Sequence, residues 1–239
     1  MQYSSYMKIY YDDSGEVLSS AHWSFIDKLD CALGYLRKGF EAALDVPVSD
    51  RYEWAQDRLY DVKRKRFTNR GIPCRDTETV GDHVLDSIGM ATLHTPFTCN
   101  RDTVERMILV HDLPQAIIDN FKCEMGVSEG DYARIEMLAA KVIFEERPAA
   151  FALWNEYEEG TSAEALVARD IQHAQMLLKI REYQNLYPET VIHFKHYWDA
   201  FDQAWVSDAA KTLRGLFHDI HEVFANDDSE FARLKSVRA

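Results

Sequence analysis

Met107-Ile-Leu-Val-His-Asp-Leu-Pro114 is an apolar run that ends by presenting two ligand-type side chains next to each other, His111 and Asp112, just before a proline. His111 follows Met107 by four positions and Ile108 by three, and Asp112 follows Ile108 by four, so helical spacing sets both beside a buried face. Pro114 has no amide proton and predicts a helix break at that point. Neighbouring residues on a helix stand ~100° apart, so His111 and Asp112 can share one ion only if it lies between them. Alone, the dipeptide also reads as a core histidine followed by a helix-end carboxylate, and the rest of the chain must decide.

Upstream, His83 shares a face with Val80, Val84, Ile88 and Ala91 through its i+3 relation to Val80. Two imidazoles and one carboxylate gathered inside a helical core suit a borderline divalent cation, and burying them without a partner is costly.

Around these residues the apolar periodicity is helical almost throughout. The pattern predicts helices over about 78–94, 101–112, 114–122, 128–146, 148–158, 161–186, 188–204 and 207–225, broken at Thr95-Pro96, Pro114, Gly126, Pro148, Gly160 and Pro188. Before them, residues 1–15 read as a short arm closing in Asp12-Asp-Ser-Gly15. A helix follows over about 20–44, and after the joint Asp45-Val-Pro-Val-Ser49 another is capped by Ser49 or Asp50. No paired strand runs, repeats or low-complexity tracts interrupt this pattern, so the expected class is all-α. The expected organisation is an N-terminal arm with helices over 1–66, a core domain over 67–188 and a C-terminal helical extension over 189–239. Lys63-Arg-Lys-Arg66 reads as a solvated helix end, with Arg70 and Arg75 as candidate phosphate ligands.

The 239 residues are 46% hydrophobic and 12% aromatic, enough for a sizeable core. A net charge of -13 argues against nucleic acid as a partner, although a metal and a few basic side chains can build a local anion pocket in an acidic protein. Cys31, Cys74, Cys99 and Cys123 are scattered singly and read as free thiols. There is no basic stretch leading into an apolar run and no membrane-length segment, so a cytoplasmic protein is expected. His193 with His196, and His218 with His221, have i, i+3 spacing but no carboxylate motif to complete a metal site.

The order Glu78-Thr-Val-Gly-Asp-His83, then Val110-His-Asp-Leu113, resembles the HD-domain metal-dependent phosphohydrolases. Leu153-Trp-Asn-Glu-Tyr-Glu158, Thr161-Ser-Ala-Glu-Ala165, Met176 and Glu182-Tyr183 resemble its 5'-deoxyribonucleotidase branch, over roughly residues 67–186. The resemblance implies an HD-domain helical bundle with additional N- and C-terminal helices. It implies hydrolysis of a small phosphorylated metabolite, a (deoxy)nucleoside 5'-phosphate, by metal-activated water. One divalent ion (Mn, Co, Fe or Zn) would sit on His83, His111 and Asp112, and a homodimer is compatible with this reading.

The pattern departs from the family at four places. Gln115 stands where the catalytic Glu is expected, and Asp119-Asn120 where a Gly-Asp pair is expected. Gln172 holds the register of the fourth metal ligand, while the nearest carboxylate, Asp170, is ~200° around the helix. Ile72, after Arg70-Gly71, replaces a tryptophan. Gln115 cannot exchange a proton at ordinary pH, so Asp119 or Glu124 would have to supply the acid, and Asn120 remains able to bind a sugar hydroxyl. Two alternatives stay open: a catalytically degenerate HD-fold nucleotide-binding or scaffold protein, and an iron-dependent oxygenase using the two histidines and Asp112.

Overall fold

The computed structural model describes residues 25–120, 129–199 and 205–207. Among these the regular elements are helices: α1 Phe25–Leu44, α2 Arg51–Arg58, α3 Lys65–Thr68, α4 Val80–His94, α5 Arg101–His111, α6 Gln115–Ile118, α7 Glu129–Ile143, α8 Pro148–Glu159, α9 Ala163–Leu186 and α10 Val191–Asp199. The all-α expectation holds, with an isolated antiparallel bridge between Lys63 and Thr79 as the one extended pairing among the described residues. No described helix is long and apolar enough to cross a membrane. The described residues fall into two compact units, those within 1–82 and 110–154, and those within 83–109 and 155–239.

In the first unit α1 packs on α6 and α7, and α2 packs on the same pair. The approach of α1 to α6 is backbone to backbone: a Cβ on Gly39 would stand 1.8 Å from the Ile117 carbonyl oxygen, so only glycine fits there. Phe67, Ile72, Leu113, Ile118 and Ile143 are buried, and losing a phenyl ring such as that of Phe67 costs about 3–5 kcal/mol.

The basic run 63–66 differs from its reading as a solvated helix end. Lys63 is extended in its bridge with Thr79, which turns Arg64 inward. Arg64 is buried against Glu78, with Nη1 2.6 Å from Oε1, and its guanidinium lies 5.2 Å from the centre of the Phe67 ring. The Val80 amide donates to the Val62 carbonyl at 2.8 Å, fastening this strap to the start of α4.

In the second unit α9 and α10 pack through the 3-10 turn Pro188–Thr190. Ser162 caps α9, its Oγ accepting from the Ala165 amide at 3.2 Å. Ile171, Leu177, Ile180 and Phe194 are buried. Gly160 ends α8 at φ +63°, where an added Cβ would strike the Arg169 guanidinium. The His218 and His221 pair lies outside the described residues, as does most of the expected C-terminal extension; His193 and His196 are exposed.

Candidate functional site

In the first unit, α5 ends at His111, the chain turns through Asp112, Leu113 and Pro114, and α6 begins at Gln115. The Gln115 backbone amide donates to the Asp112 carbonyl at 2.9 Å, closing the turn. This brings the two side chains together: Gln115 Nε2 donates to Asp112 Oδ1. His111 Nε2 lies 3.1 Å from the same Asp112 oxygen.

From Gln115 a directed chain of amides continues. Asn120 Nδ2 donates to Gln115 Oε1 at 2.6 Å, and the Lys65 backbone amide donates to Asn120 Oδ1 at 3.0 Å. Each link needs a side chain that accepts at one end and donates at the other. Gln and Asn do this, whereas a carboxylate at either position has nothing to donate. The two amides are therefore one structural unit rather than two separate replacements.

Asp119 sits between them at φ +62°, a backbone region that glycine enters at no steric cost. The resemblance puts a glycine at this position, and the carboxylate here is held by Lys65, whose Nζ is 2.8 Å from Oδ2. That ion pair, together with the Asn120 amide donating to Asp119 Oδ1 at 2.6 Å, offsets strain on the order of 1–3 kcal/mol.

In the second unit, His83 is carried on the first turn of α4. The start of that helix is set by a capping box in which the Thr79 amide donates to Asp82 Oδ2 at 2.9 Å and the Asp82 amide to Thr79 Oγ1 at 3.0 Å. His83 is buried, and its Nδ1 donates to Gln175 Oε1 on α9. Gln175 Nε2 in turn reaches Asp86 Oδ2 at 3.5 Å. With Gln175 Oε1 as the acceptor, the proton of this contact belongs to His83 Nδ1.

Asp170 and Gln172, the two candidates for the fourth ligand, are both buried. Asp170 Oδ1 accepts from the Val206 amide at 2.9 Å, and Oδ2 accepts from the Ser207 amide at 2.8 Å and from Ser207 Oγ. Burial raises its pKa above the ordinary carboxylate value, and the Ser207 and Val206 donors counteract part of that rise. Both oxygens thus anchor residues 206–207.

Of the other expected ligands, Arg70 Nη1 donates to the Arg66 carbonyl at 2.7 Å, and Arg75 is exposed beside Asp76. Glu124 lies outside the described residues. Cys74 and Cys99 are free thiols, as expected. Sequence reasoning missed Lys65, Gln175 and Asp86. Asp86 was within reach, because it stands one turn after His83 on the same helix; Gln175, 92 residues away, left no local signal.

The residues can be tested against the divalent ion that the resemblance implies. His111 Nε2 and Asp112 Oδ1, 3.1 Å apart, are donor atoms of the types that borderline divalent ions take. His83 is a buried imidazole whose Nδ1 faces Gln175 Oε1. No group of three or more His, Cys, Asp or Glu is assembled as a metal site among the described residues. The fit is therefore one of donor type, two imidazoles and one carboxylate, with an amide at the fourth register.

Residues 56–214 match the HD domain family. The chain is similar to the Homo sapiens protein named 5'-deoxynucleotidase HDDC2, 30% identical over 134 residues that cover 54% of this chain and 65% of that protein. It is also similar to 5'-deoxynucleotidase YBR242W of Saccharomyces cerevisiae, 24% identical over 184 residues, covering 66% of this chain and 72% of that one. The matched region thus spans about 65% of the human relative's length. Among solved structures, the PH0347 protein from Pyrococcus horikoshii OT3 has a TM-score of 0.60 at 20% identity, covering 72% of this chain and 98% of that one. A conserved hypothetical protein from Pyrococcus furiosus has a TM-score of 0.58 at 17% identity, covering 70% and 96%. These two share its fold. With the family match covering well over half its length, the chain belongs to the HD domain family.

Proposed function

We propose that this protein is a phosphohydrolase of the HD class acting on (deoxy)nucleoside 5'-monophosphates, with slow turnover. The observation that carries the reading is the retained His111–Asp112 pair, its side chains 3.1 Å apart, in a chain whose relatives are named 5'-deoxynucleotidases. His83, His111 and Asp112 would hold the divalent ion of this class, whose chemistry is to polarise the phosphate and lower the pKa of a bound water. The chain's own residues explain the slowness. The departing 5' oxygen needs a proton, and Gln115 has none to give. Asp119 is drawn into its pair with Lys65, whose Nζ is 2.8 Å from Oδ2. Asn120 is held between Lys65 and Gln115, with its amide available to order a sugar hydroxyl only at the cost of that chain.

A second reading, binding of the same nucleotide without turnover, is favoured by one specific observation: the directed amide chain from Lys65 through Asn120 and Gln115 to Asp112. It engages Asp112 with an amide rather than leaving an acid there. We propose a cytoplasmic location, which the free thiols Cys74 and Cys99 support.

The test is phosphate release from a panel of ribo- and deoxyribonucleoside 5'-monophosphates with Mn, Co, Fe, Zn and Mg in turn. Hydrolysis that appears with one of these metals and is lost in His111→Ala supports the first reading. Calorimetric binding with no release under any condition overturns it in favour of the second.

A further inference from the structure

In the second unit, α4 turns Val84, Ser87 and Ala91 inward, where they are buried. Leu85, Gly89 and Leu93 follow one another at single-turn spacing and are exposed, the two leucines by 60% and 78%. At ~100° per residue, Gly89 stands about 160° from both Ser87 and Ala91. It therefore marks the middle of the outward face, with one leucine a turn before it and the other a turn after. Phe97, just past the end of the helix, is fully exposed and extends the apolar surface.

Nothing inside the molecule calls for a glycine at position 89. A Cβ there would meet no atom within 4 Å, and glycine is a poor helix former in mid-helix. Gly39 in the first unit shows what such a residue does when it is partnered, because there the backbone of another helix fills the place of the missing Cβ. Gly89 offers the same close approach on the outside of the molecule.

The polar groups of this face indicate which partner fits. Asp86 is exposed three residues before Gly89, and Thr92 is exposed three residues after it. Thr92 Oγ1 donates to Glu105 Oε1 at 2.9 Å, and the same oxygen lies 3.7 Å from Nε of the exposed Arg101, a loose surface pair that is easily exchanged. A two-fold axis passing beside Gly89 would set Leu85 against Leu93 of a second copy. It would also set Asp86 against Thr92 of that copy, with Arg101 beside it, and it would oppose the two helix dipoles.

We infer that this face of α4 is a self-association surface, on which a second copy of the chain lays its own α4 antiparallel, glycine to glycine. The contact is isologous, each residue meeting in the other copy the residue that meets it in return. One helix pair buries less than the roughly 1,200–2,000 Å² of standard interfaces, so the dimer is weak and reversible. The inference requires neither metal nor turnover.

The experiment is sedimentation of the full chain over a concentration series reaching on the order of 100 µM, where a micromolar dimer is well populated. A monomer–dimer equilibrium is expected. Gly89→Glu places a better helix former in space that is open in the monomer, and sets two like charges against each other in the dimer. It should raise the dissociation constant on the order of tenfold or more, while melting no lower than the parent at concentrations where both are monomeric. Asp86→Arg and Arg101→Asp should each weaken the homodimer, and an equal mixture of the two should dimerise more tightly than either alone, because opposite charges then face each other at both ends. A parent that stays monomeric throughout overturns the assignment. So does a folded Gly89→Glu protein with the parent's dissociation constant, or a mixture no tighter than its components.

Discussion

Asp112 and Asp170 are both buried carboxylates on or beside long helices, and their partners are of opposite kinds. Asp112 accepts from Gln115, a side chain of its own turn three residues away, and faces its neighbour His111. Asp170 accepts from the backbone of residues 36 and 37 positions further on, which no substitution at those positions other than proline removes. A carboxylate held by a local side chain can be re-partnered by one mutation. One held by distant backbone is part of the architecture, so a ligand role is easier to restore at Asp112 than to create at Asp170.

The largest expected effect tests the first half of that contrast. Gln115→Glu removes the amide donor and sets a second carboxylate against Asp112. Without metal, like-charge repulsion and the lost hydrogen bond should lower stability by about 1–2 kcal/mol. With Mn or Co the same variant should melt higher than its metal-free form by more than the parent does, and phosphate release should rise on the order of 10²-fold, the usual size of a general-acid contribution. Adding Asn120→Asp should not improve on it. The second change removes the amide that donates to the side chain at position 115 and puts another carboxylate beside the one just introduced. If Gln115→Glu leaves both melting and turnover unmoved by metal, Asp112 is as fixed as Asp170 and the contrast fails.

What the sequence makes legible follows the same division between local and distant partners. Helix periods and prolines place α4, α5, α8 and α9 within a few residues, because both signals lie inside the segment they describe. The pattern extends α6 over 114–122, whereas the helix stops at Ile118, where Asp119 leaves helical space at φ +62°. The run 63–66 escapes a local reading because its conformation depends on the bridge from Lys63 to Thr79, which lies well beyond the run. Asp170 is buried beside Val167, Ile171 and Ala174, yet the local spacing carries no trace of Val206 and Ser207. The resemblance supplies the positions of His83, His111 and Asp112; it does not supply Gln175 behind His83 or Lys65 behind Asn120.

The next largest effect probes the second half. Asp170→Ala strips the acceptor from three donors at once. Val206 is exposed and Ser207 half-buried, so water recovers part of the loss, and a cost of about 2 kcal/mol is expected by chemical denaturation. Metal affinity, measured by titration of the same variant, should stay that of the parent. A fall in metal affinity at unchanged stability would make Asp170 a ligand and its bonds to residues 206–207 incidental.

The smallest effect concerns charge rather than contact. Burial is the dominant influence on Asp170 and raises its pKa in the folded state, while the unfolded chain keeps the ordinary carboxylate value of about 3.9. The folded protein therefore holds this proton more tightly than the unfolded one. The stabilising contribution of Asp170 is complete below pH ~4 and declines as pH rises through the raised folded value. Asp170→Asn has the same shape and no titration, so the melting temperature of the parent relative to this variant should fall as pH is taken from about 4 towards neutrality, and then level off. A relative melting temperature that instead rises with pH would mean that the three donors outweigh burial and hold Asp170 as a stabilised anion. In that case its chemistry would approach that of Asp112, and only the distance of its partners along the chain would still separate the two.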